Sequence, residues 1–322
     1  MTERRSNSSS SQRPDPAACR MPSENYAAIT MAHGGGGKLT QDLLRDLFLP
    51  AYGNATLDQM ADSAVVASQP GRIAFSTDSY VVQPLEFPGG SIGDLAVNGT
   101  INDLAMSGAM PLCLSVAFIL EEGLSIDVLK RIVHDVARAA VDAGVDIVTG
   151  DTKVVERGRG DGCYLNASGI GAVPDGIKLG PHQVQSGEVV IVSGYLGDHG
   201  MAIMSAREGL EFESTIRSDT TALHRMVSTM LSVASSIRVM RDPTRGGLAA
   251  SLNEIASMSG CGIALEDASI PIRRNVAAAC EILGLDPLQV ANEGKLACIV
   301  GAKDADVVLE AMRRTDRGAD AC

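Results

Sequence analysis

The sequence predicts an α/β protein, of the mixed α+β kind, folded as two domains. Short apolar runs suited to strands alternate with stretches of helical periodicity from about residue 26 to about residue 180. A polar, turn-rich segment, Pro181–Gly187, is followed at once by a fresh strand pattern, Val189-Val190-Ile191-Val192. With 322 residues and 45% hydrophobic content, the chain has enough apolar material for two cores. The expected division is 1–25 as a disordered extension, 26–182 as an N-terminal domain and 183–322 as a C-terminal domain.

Residues 1–25, rich in Ser, Arg and Pro, offer almost nothing to bury. Arg72–Ser76 reads as a short strand running into Asp78. Ser91–Gly108 reads as a helix with Ser91 as its cap. Leu112–Leu120 has the continuous apolar character of a buried strand. Ser125–Ala143 is the clearest amphipathic helix: Ile126, Leu129, Ile132, Val133, Val136, Ala137 and Ala140 recur at three and four, and Gly144 ends it. Val145–Thr149 is a strand expected to deliver Asp151 and Lys153 just past its carboxyl end. In the C-terminal domain, helices are expected near Gly200–Glu208, Thr220–Ser236 and Leu248–Ser259. A last strand, Leu296–Val300, precedes a helix over Ala305–Arg313.

Composition narrows the partners. Aromatics are 3% and Trp is absent, so the cores must be built from Ala, Val, Ile, Leu and Met. A formal charge of −12 disfavours nucleic acid. The longest apolar run is about half of the roughly 20 residues that a membrane span needs, and no secretory signal follows the N-terminus. The expectation is a cytoplasmic protein without a nucleic-acid or membrane partner. The seven cysteines show no Cys-x-x-Cys spacing, which suits independent reduced thiols packed as small hydrophobes.

Three segments carry chemistry: Gly34–Gly37 with Lys38, the acidic loop Ser76-Thr77-Asp78-Ser79, and Thr149–Val155. They combine carboxylates, ammonium groups and bare backbone amides, the mixture that metal-bound polyphosphate requires. No Walker-type motif accompanies the lysines. Asp103 falls on the stripe of Ile92, Ala96 and Gly99 at helical spacing, so it is expected on the apolar side, where a carboxylate must be paired, hydrogen-bonded or bound to a cation. A buried Asp satisfied by backbone amides is the plainer alternative. Asp78 reads equally as a turn residue. Asp151 and Lys153, leaving a strand at alternate positions, are expected to point apart and serve different parts of a ligand, or else to form a surface ion pair. The glycine run is either a linker or an amide-rich phosphate cover beside a helix start. Arg241 and Arg245, in Arg241–Gly247, offer forked donors for carboxylate or phosphate, or are merely solvated. Glu293 is a general base or only a loop carboxylate.

Taken in order, Ala32–Lys38, Phe75–Tyr80, Phe87–Gly90, Asn102–Ala105, Ile119–Gly123, Thr149–Val155, Gly197–Gly200, Arg241–Gly247 and Ala291–Leu296 resemble the superfamily of aminoimidazole ribonucleotide synthetase, selenophosphate synthetase and thiamine-phosphate kinase. Within it the resemblance is to the HypE family of carbamoyl dehydratases, and it covers nearly everything from about residue 29 onward. It implies a PurM-like fold: an N-terminal α/β domain that pairs with its twin in a homodimer, and a C-terminal α/β domain closing over an ATP site. It further implies Mg²⁺ on Asp78, Asp103 and Asp151, and ATP contacts from His33, Gly35, Gly36, Lys38, Asn102, Thr152 and Asp242. Asp103, Lys153 and Glu293 match positions essential to activity.

The implied reaction belongs to [NiFe] hydrogenase maturation. A C-terminal cysteine, carbamoylated by HypF, is dehydrated with ATP to a thiocyanate whose cyanide passes to a HypC–HypD scaffold. The family closes on Pro-Arg-x-Cys, whereas Gly318–Ala321 resembles an internal segment leading into a further strand. The expectation is therefore a sequence that stops short of that tail, with Cys322 not the carbamoylated residue. Three rivals stand beside this reading. Selenophosphate synthetase typically has a thiol or selenol in the glycine-rich segment, which here has none; aminoimidazole ribonucleotide synthetase is disfavoured by the segment matches; and a nucleotide-binding scaffold without turnover is separated from an enzyme by an ATPase assay.

Overall fold

The structure, a computed structural model, describes residues 26–60, 63–67, 71–209 and 215–322, so the extension expected over 1–25 lies outside the described residues. The first described elements are a 3-10 turn, Met31–Gly34, and then α1 (Lys38–Leu43), which passes through a π-helical turn, Leu44–Phe48, into α2 (Leu49–Tyr52). β1 (Arg72–Tyr80) follows, then a two-residue ribbon of β2 (Glu86–Phe87) and β3 (Gly90–Ser91), then α3 (Ile92–Met106), β4 (Met110–Glu121), α4 (Ile126–Ala143), β5 (Asp146–Val155) and β6 (Cys163–Val173). The four long strands form one mixed sheet in the order β1-β6-β4-β5, with β4 and β5 parallel and the other pairs antiparallel.

Local chemistry sets the helix ends. Ser91 Oγ accepts the Gly93 N–H at 3.1 Å while the Asp94 carboxylate accepts the Ser91 N–H at 2.9 Å, which satisfies two free amides at the start of α3. Ser125 Oγ accepts the Asp127 N–H at 3.3 Å at the start of α4, and Gly144, at φ 74°, closes it in the left-handed conformation. The apolar stripe of α4 (Leu129, Ile132, Val133, Val136) packs with Leu114, Val116, Phe118 and Leu120 of β4 in one buried core.

Three expectations need correction here. β1 continues to Tyr80, so Asp78 lies inside a strand and not in an acidic loop. β5 runs to Val155, so Asp151 and Lys153 lie within it and not beyond its end. β6 escaped the sequence reading altogether, although it pairs with both β1 and β4. In each case hydrogen bonding to a neighbouring strand extends the element past its apolar residues.

The C-terminal domain contains β7 (Val189–Val192), α5 (Asp198–Glu208), α6 (His224–Val233), β8 (Ile237–Arg241), α7 (Gly247–Ser259), α8 (Arg274–Leu283), β9 (Ala297–Val300) and α9 (Ala305–Arg313). Its antiparallel sheet has the order β7-β9-β8. Alternation along the strands sends Ile191, Met240, Cys298 and Val300 to a core with Met226, Met230 and Met312 of α6 and α9, and Val192, Val239 and Ile299 to a core with Leu248 and Leu252 of α7. α6 starts later than the sequence suggests, which leaves residues 215–223 without helix or strand. Ala105 and Met106 of α3 join the Met226–Met312 core, so α3 belongs to both domains. At the chain's end, Cys322 and Val192 exchange two backbone hydrogen bonds, 2.8 and 3.0 Å, along the outer edge of β7. The six described cysteines are free thiols and four of them are buried. Among the described residues no helix is long and apolar enough to cross a membrane.

Candidate functional site

Residues paired across a sheet share a face, and this divides the expected site in two. Asp78 pairs with Ala167, which pairs with the buried Val116, so Asp78 and Ser76 lie on the α3 side of the sheet. Tyr80, on the same side, places its Oη 3.2 Å from Thr100 Oγ1 of α3. Asp151 pairs with Ala117, Ala117 with Asn166 and Asn166 with Ser79, which puts Asp151 and Lys153 on the outer face. Residues two apart in a strand share a face, so Asp151 and Lys153 do not point apart. They form an exposed ion pair with Lys153 Nζ 3.9 Å from Asp151 Oδ2.

The first group lies in a cleft of about 710 Å³ between β1, α3 and the end of β8, lined in part by Ser76, Asp103, Arg241 and Asp242. α3 is buried all round apart from Asp103. The stripe argument expected Asp103 on the apolar side; it is instead the one residue at which this helix opens to a cleft. Ser76 Oγ donates to Asp103 Oδ2 at 2.6 Å. Burial raises the Asp103 carboxyl above the usual range; the Ser76 bond and the Arg241 charge oppose the rise, while Asp78 adds to it. Asp242 is pushed up to about 6 by burial, helped by the Asp103 charge. Glu293 is raised well above the usual carboxylate range, first by burial and then by Asp219, Asp242, Asp78 and Asp103. Asp103 and Asp242 in this cleft, with Asp78 and the buried Glu293 near enough to repel them, form a receptor for a cation or for protons.

Buried amides hold this group in place. Asn102 is buried, and its Nδ2 donates to the carbonyl oxygens of Thr221 and Glu293 at 3.0 and 3.1 Å while its Oδ1 accepts the Leu223 N–H at 2.8 Å. Expected as an ATP contact, Asn102 instead has its amide spent on the backbone, tying α3 to two C-terminal loops. Asn292 accepts the Gly197 N–H at 2.7 Å and donates to Pro243 and Val290 carbonyls at 3.0 Å, which joins three of the sequence motifs. Asp219 accepts the Glu293 N–H at 3.1 Å and pairs with Lys295 at 3.4 Å. Neither the positioning role of Asn292 nor any role of Asp219 emerged from the sequence. Asp219 acts on a residue 74 positions away, and only the fold brings them together.

The second group gathers at the free edge of β5. Gly34 packs so closely there that an added Cβ would sit 2.6 Å from the Val154 nitrogen. Gly36 has φ +77° with open space around its Cβ position, and its N–H reaches Thr40 Oγ1 at 2.9 Å. Gly35 and Lys38, at the start of α1, are exposed, and Thr152 follows Asp151 in β5. His33 is buried, its Nδ1 accepting the Thr30 N–H at 3.0 Å, and burial lowers its pKa. The imidazole is thus held by the backbone immediately before the glycine run.

Asp78 and Asp151 therefore lie at opposite edges of a four-stranded sheet, three strand spacings or about 14 Å apart, and on opposite faces. Among the described residues, no three His, Cys, Asp or Glu side chains gather to hold a metal ion. The expected set Asp78, Asp103 and Asp151 is thus not brought together within one chain. Magnesium commonly needs only one or two carboxylates, with phosphate oxygens and water completing its shell. The carboxylate oxygens of Asp103 and Asp242 beside the Ser76 hydroxyl are hard donors that fit that requirement. Cys322, by contrast, lies along the edge of the C-terminal sheet away from β8, its thiol bonded to the Ser269 carbonyl at 3.1 Å.

Comparison with known proteins identifies the architecture. The N-terminal domain family of AIR synthase related proteins matches residues 60–173, and the C-terminal domain family matches residues 185–321. Carbamoyl dehydratase HypE of Cupriavidus necator is 54% identical over 294 residues, covering 91% of this chain and 84% of the relative. The crystal structure of hydrogenase maturation protein HypE in complex with ATP superposes with a TM-score of 0.89 at 44% identity, covering 91% of this chain and 88% of the other. A crystal structure of a HypE–HypF complex matches with a TM-score of 0.77 at 46% identity, covering 87% and 90%. With two domains of matching order and a relative more than half identical along nine-tenths of this chain, the chain belongs to the AIR synthase related proteins and, within them, to the HypE carbamoyl dehydratases.

Proposed function

We propose that the chain is an ATP-dependent carbamoyl dehydratase of [NiFe] hydrogenase maturation, working as a homodimer whose site is shared between protomers. The observation that carries this reading is the division of the site: Asp78, Asp103 and Asp242 lie on one side of the sheet with Glu293 buried near them, while Lys153, Asp151 and the glycine run occupy the other face and the far edge. The outer face exposes Ile73 (56%) and Phe75 (68%), an apolar surface that a second copy would cover. Isologous pairing that sets β5 of one protomer beside β1 of its partner brings the two half-sites together.

In this reading Asp78 and Asp103, with Asp242 beside them, would hold Mg²⁺ and, through it, the phosphates. Lys153, Lys38, Thr152 and the amides of Gly35 and Gly36 embrace the nucleotide from the partner side, with His33 behind them. Magnesium, when bound, supplies neutralisation of charge on the phosphate oxygens. The carbamoyl oxygen attacks the γ-phosphorus, and the bond from phosphorus to the β,γ-bridging oxygen breaks with its electron pair leaving on ADP. The C–O bond then breaks toward phosphate as nitrogen gives up both protons, leaving S–C≡N. Glu293, buried beside Asp242 and Asp103, takes one of those protons in its ionised form. The carbamoyl donor is HypF, by analogy with the relative solved in complex with it, and the cyanide acceptor is the HypC–HypD scaffold.

The test uses two inactive variants. Asp103→Asn and Lys153→Ala are each expected to lower ATP turnover at least about 100-fold. Unfolded together and refolded, they should recover about a quarter of wild-type turnover, because half of randomly paired dimers carry one intact site of two. No recovery from mixed dimers of proven composition sinks the shared site, and wild-type turnover in either single variant sinks the assignment of that residue.

A further inference from the structure

Arg241 is the last residue of β8, paired with Ala297 of β9, and it lines the cleft beside Ser76, Asp103 and Asp242. Its Nε is sealed from water and makes no hydrogen bond among the described residues. Nor does any described carboxylate form an ion pair with it. The nearby cations are committed elsewhere or face away: Lys295 pairs with Asp219 at 3.4 Å, Arg72 gives its guanidinium to the Ile177 carbonyl, and Lys153 stands on the outer face. The Arg241 charge is felt at both Asp103 and Asp242, where it opposes the rise of each carboxyl. A guanidinium with an unused buried donor, set among groups that repel oxygen acceptors, marks the point at which an acceptor can enter. A carboxamide oxygen meets that requirement in the ground state. The phosphate oxygens it gains on phosphorylation suit a guanidinium fork better still.

We propose that Arg241 receives the carbamoyl oxygen of the substrate and remains on it while that oxygen takes the γ-phosphoryl group. The proposal rests on the dehydratase reading above. The carbamoyl O–P bond forms as the bond from phosphorus to the β,γ-bridging oxygen breaks, with the electron pair leaving on ADP. Arg241, always charged, offsets the negative charge arriving on that oxygen without exchanging a proton. It then accompanies the phosphate that departs when the C–O bond breaks and nitrogen loses its two protons. Arg241 acts here by contact with the reacting oxygen and not by holding Asp242 in place.

A synthetic peptide ending in S-carbamoylcysteine, supplied with ATP and Mg²⁺, reads the step directly as loss of the elements of water by mass and as phosphate release. In Arg241→Met, kcat for peptide dehydration should fall about 100-fold, with KM for ATP changed less than about three-fold. Arg241→Lys should lie between the two. In Arg241→Ala, added guanidinium ion should restore about ten-fold, an effect that a purely structural role would not produce. Wild-type kcat in Arg241→Met overturns the proposal. So does a loss that neither guanidinium nor lysine relieves, or one that falls on KM for ATP alone. A wild-type protein that hydrolyses ATP but leaves the peptide intact sinks the dehydratase reading instead.

Discussion

Asp242 carries a carboxyl held near pH 6 by burial and by the charge of Asp103, and its place in the cleft has a cost in stability. Below about pH 4 the group is protonated whether the chain is folded or not, and no penalty arises. As pH rises through about 6, the folded state must accept a charge that the unfolded state carries easily, and stability is lost. Asp242→Asn is therefore expected to be more stable than the parent by about 1–3 kcal/mol near pH 8, with the gap closing toward pH 4, as urea denaturation would measure. The same variant should lose ATP turnover; no gain in stability near pH 8 would contradict the electrostatic account. Most of the acidic side of the site was legible at this scale. Asp78, Asp103, Asp242 and Glu293 were all picked out as residue types in motifs, as was Asp151 of the other face. What the sequence could not convey is which of them meet, because pairing across β1, β6 and β4 decides the face that each occupies. Asp219 left no trace at all, since both its hydrogen bond to the Glu293 amide and its charge on the Glu293 carboxyl act across 74 positions of sequence.

α3 shows what an element gains from being surrounded. Ser91 starts it, both domains cover it, and only Asp103 reaches toward open space. Its helical period was readable, but the idea of one apolar stripe was not the right description, because a helix buried all round has no polar face. Close packing makes its glycines sensitive. A Cβ on Gly99 would lie 2.5 Å from the Tyr80 hydroxyl. Gly99→Ala should cost about 1–3 kcal/mol, seen as a lower Tm, and Tyr80→Phe in the same chain should recover part of it. An unchanged Tm would mean that β1 yields more readily than its pairing with β6 suggests. β6 itself is the element the sequence hid. Its run of Asn166, Ala167, Ser168, Gly169, Ile170, Gly171 and Ala172 has few branched residues, and small side chains there let α3 approach: Gly169 lies under Leu104 and Thr100.

At the scale of the whole molecule, the two-domain α/β division was legible from the turn-rich Pro181–Gly187 and the new strand after it. The division of the site across two faces of the first sheet was not. It depends on strand order, which no local pattern encodes. The domains are joined by the apolar packing of Ala105 and Met106 and by a small number of buried polar contacts, of which Asn102 makes three. Those contacts also keep time. The Leu223 amide, buried and held at 2.8 Å by Asn102, can meet solvent deuterium only when the C-terminal loop leaves α3. Its exchange rate is thus a clock for parting of the domains: slow in the parent, and faster by at least about ten-fold in Asn102→Ala, where the loss of one side chain leaves three backbone groups without their partner. If both proteins exchanged this amide at the same rate, the hinge would have to lie elsewhere, and the cleft would open by bending its loops while the domains stay joined.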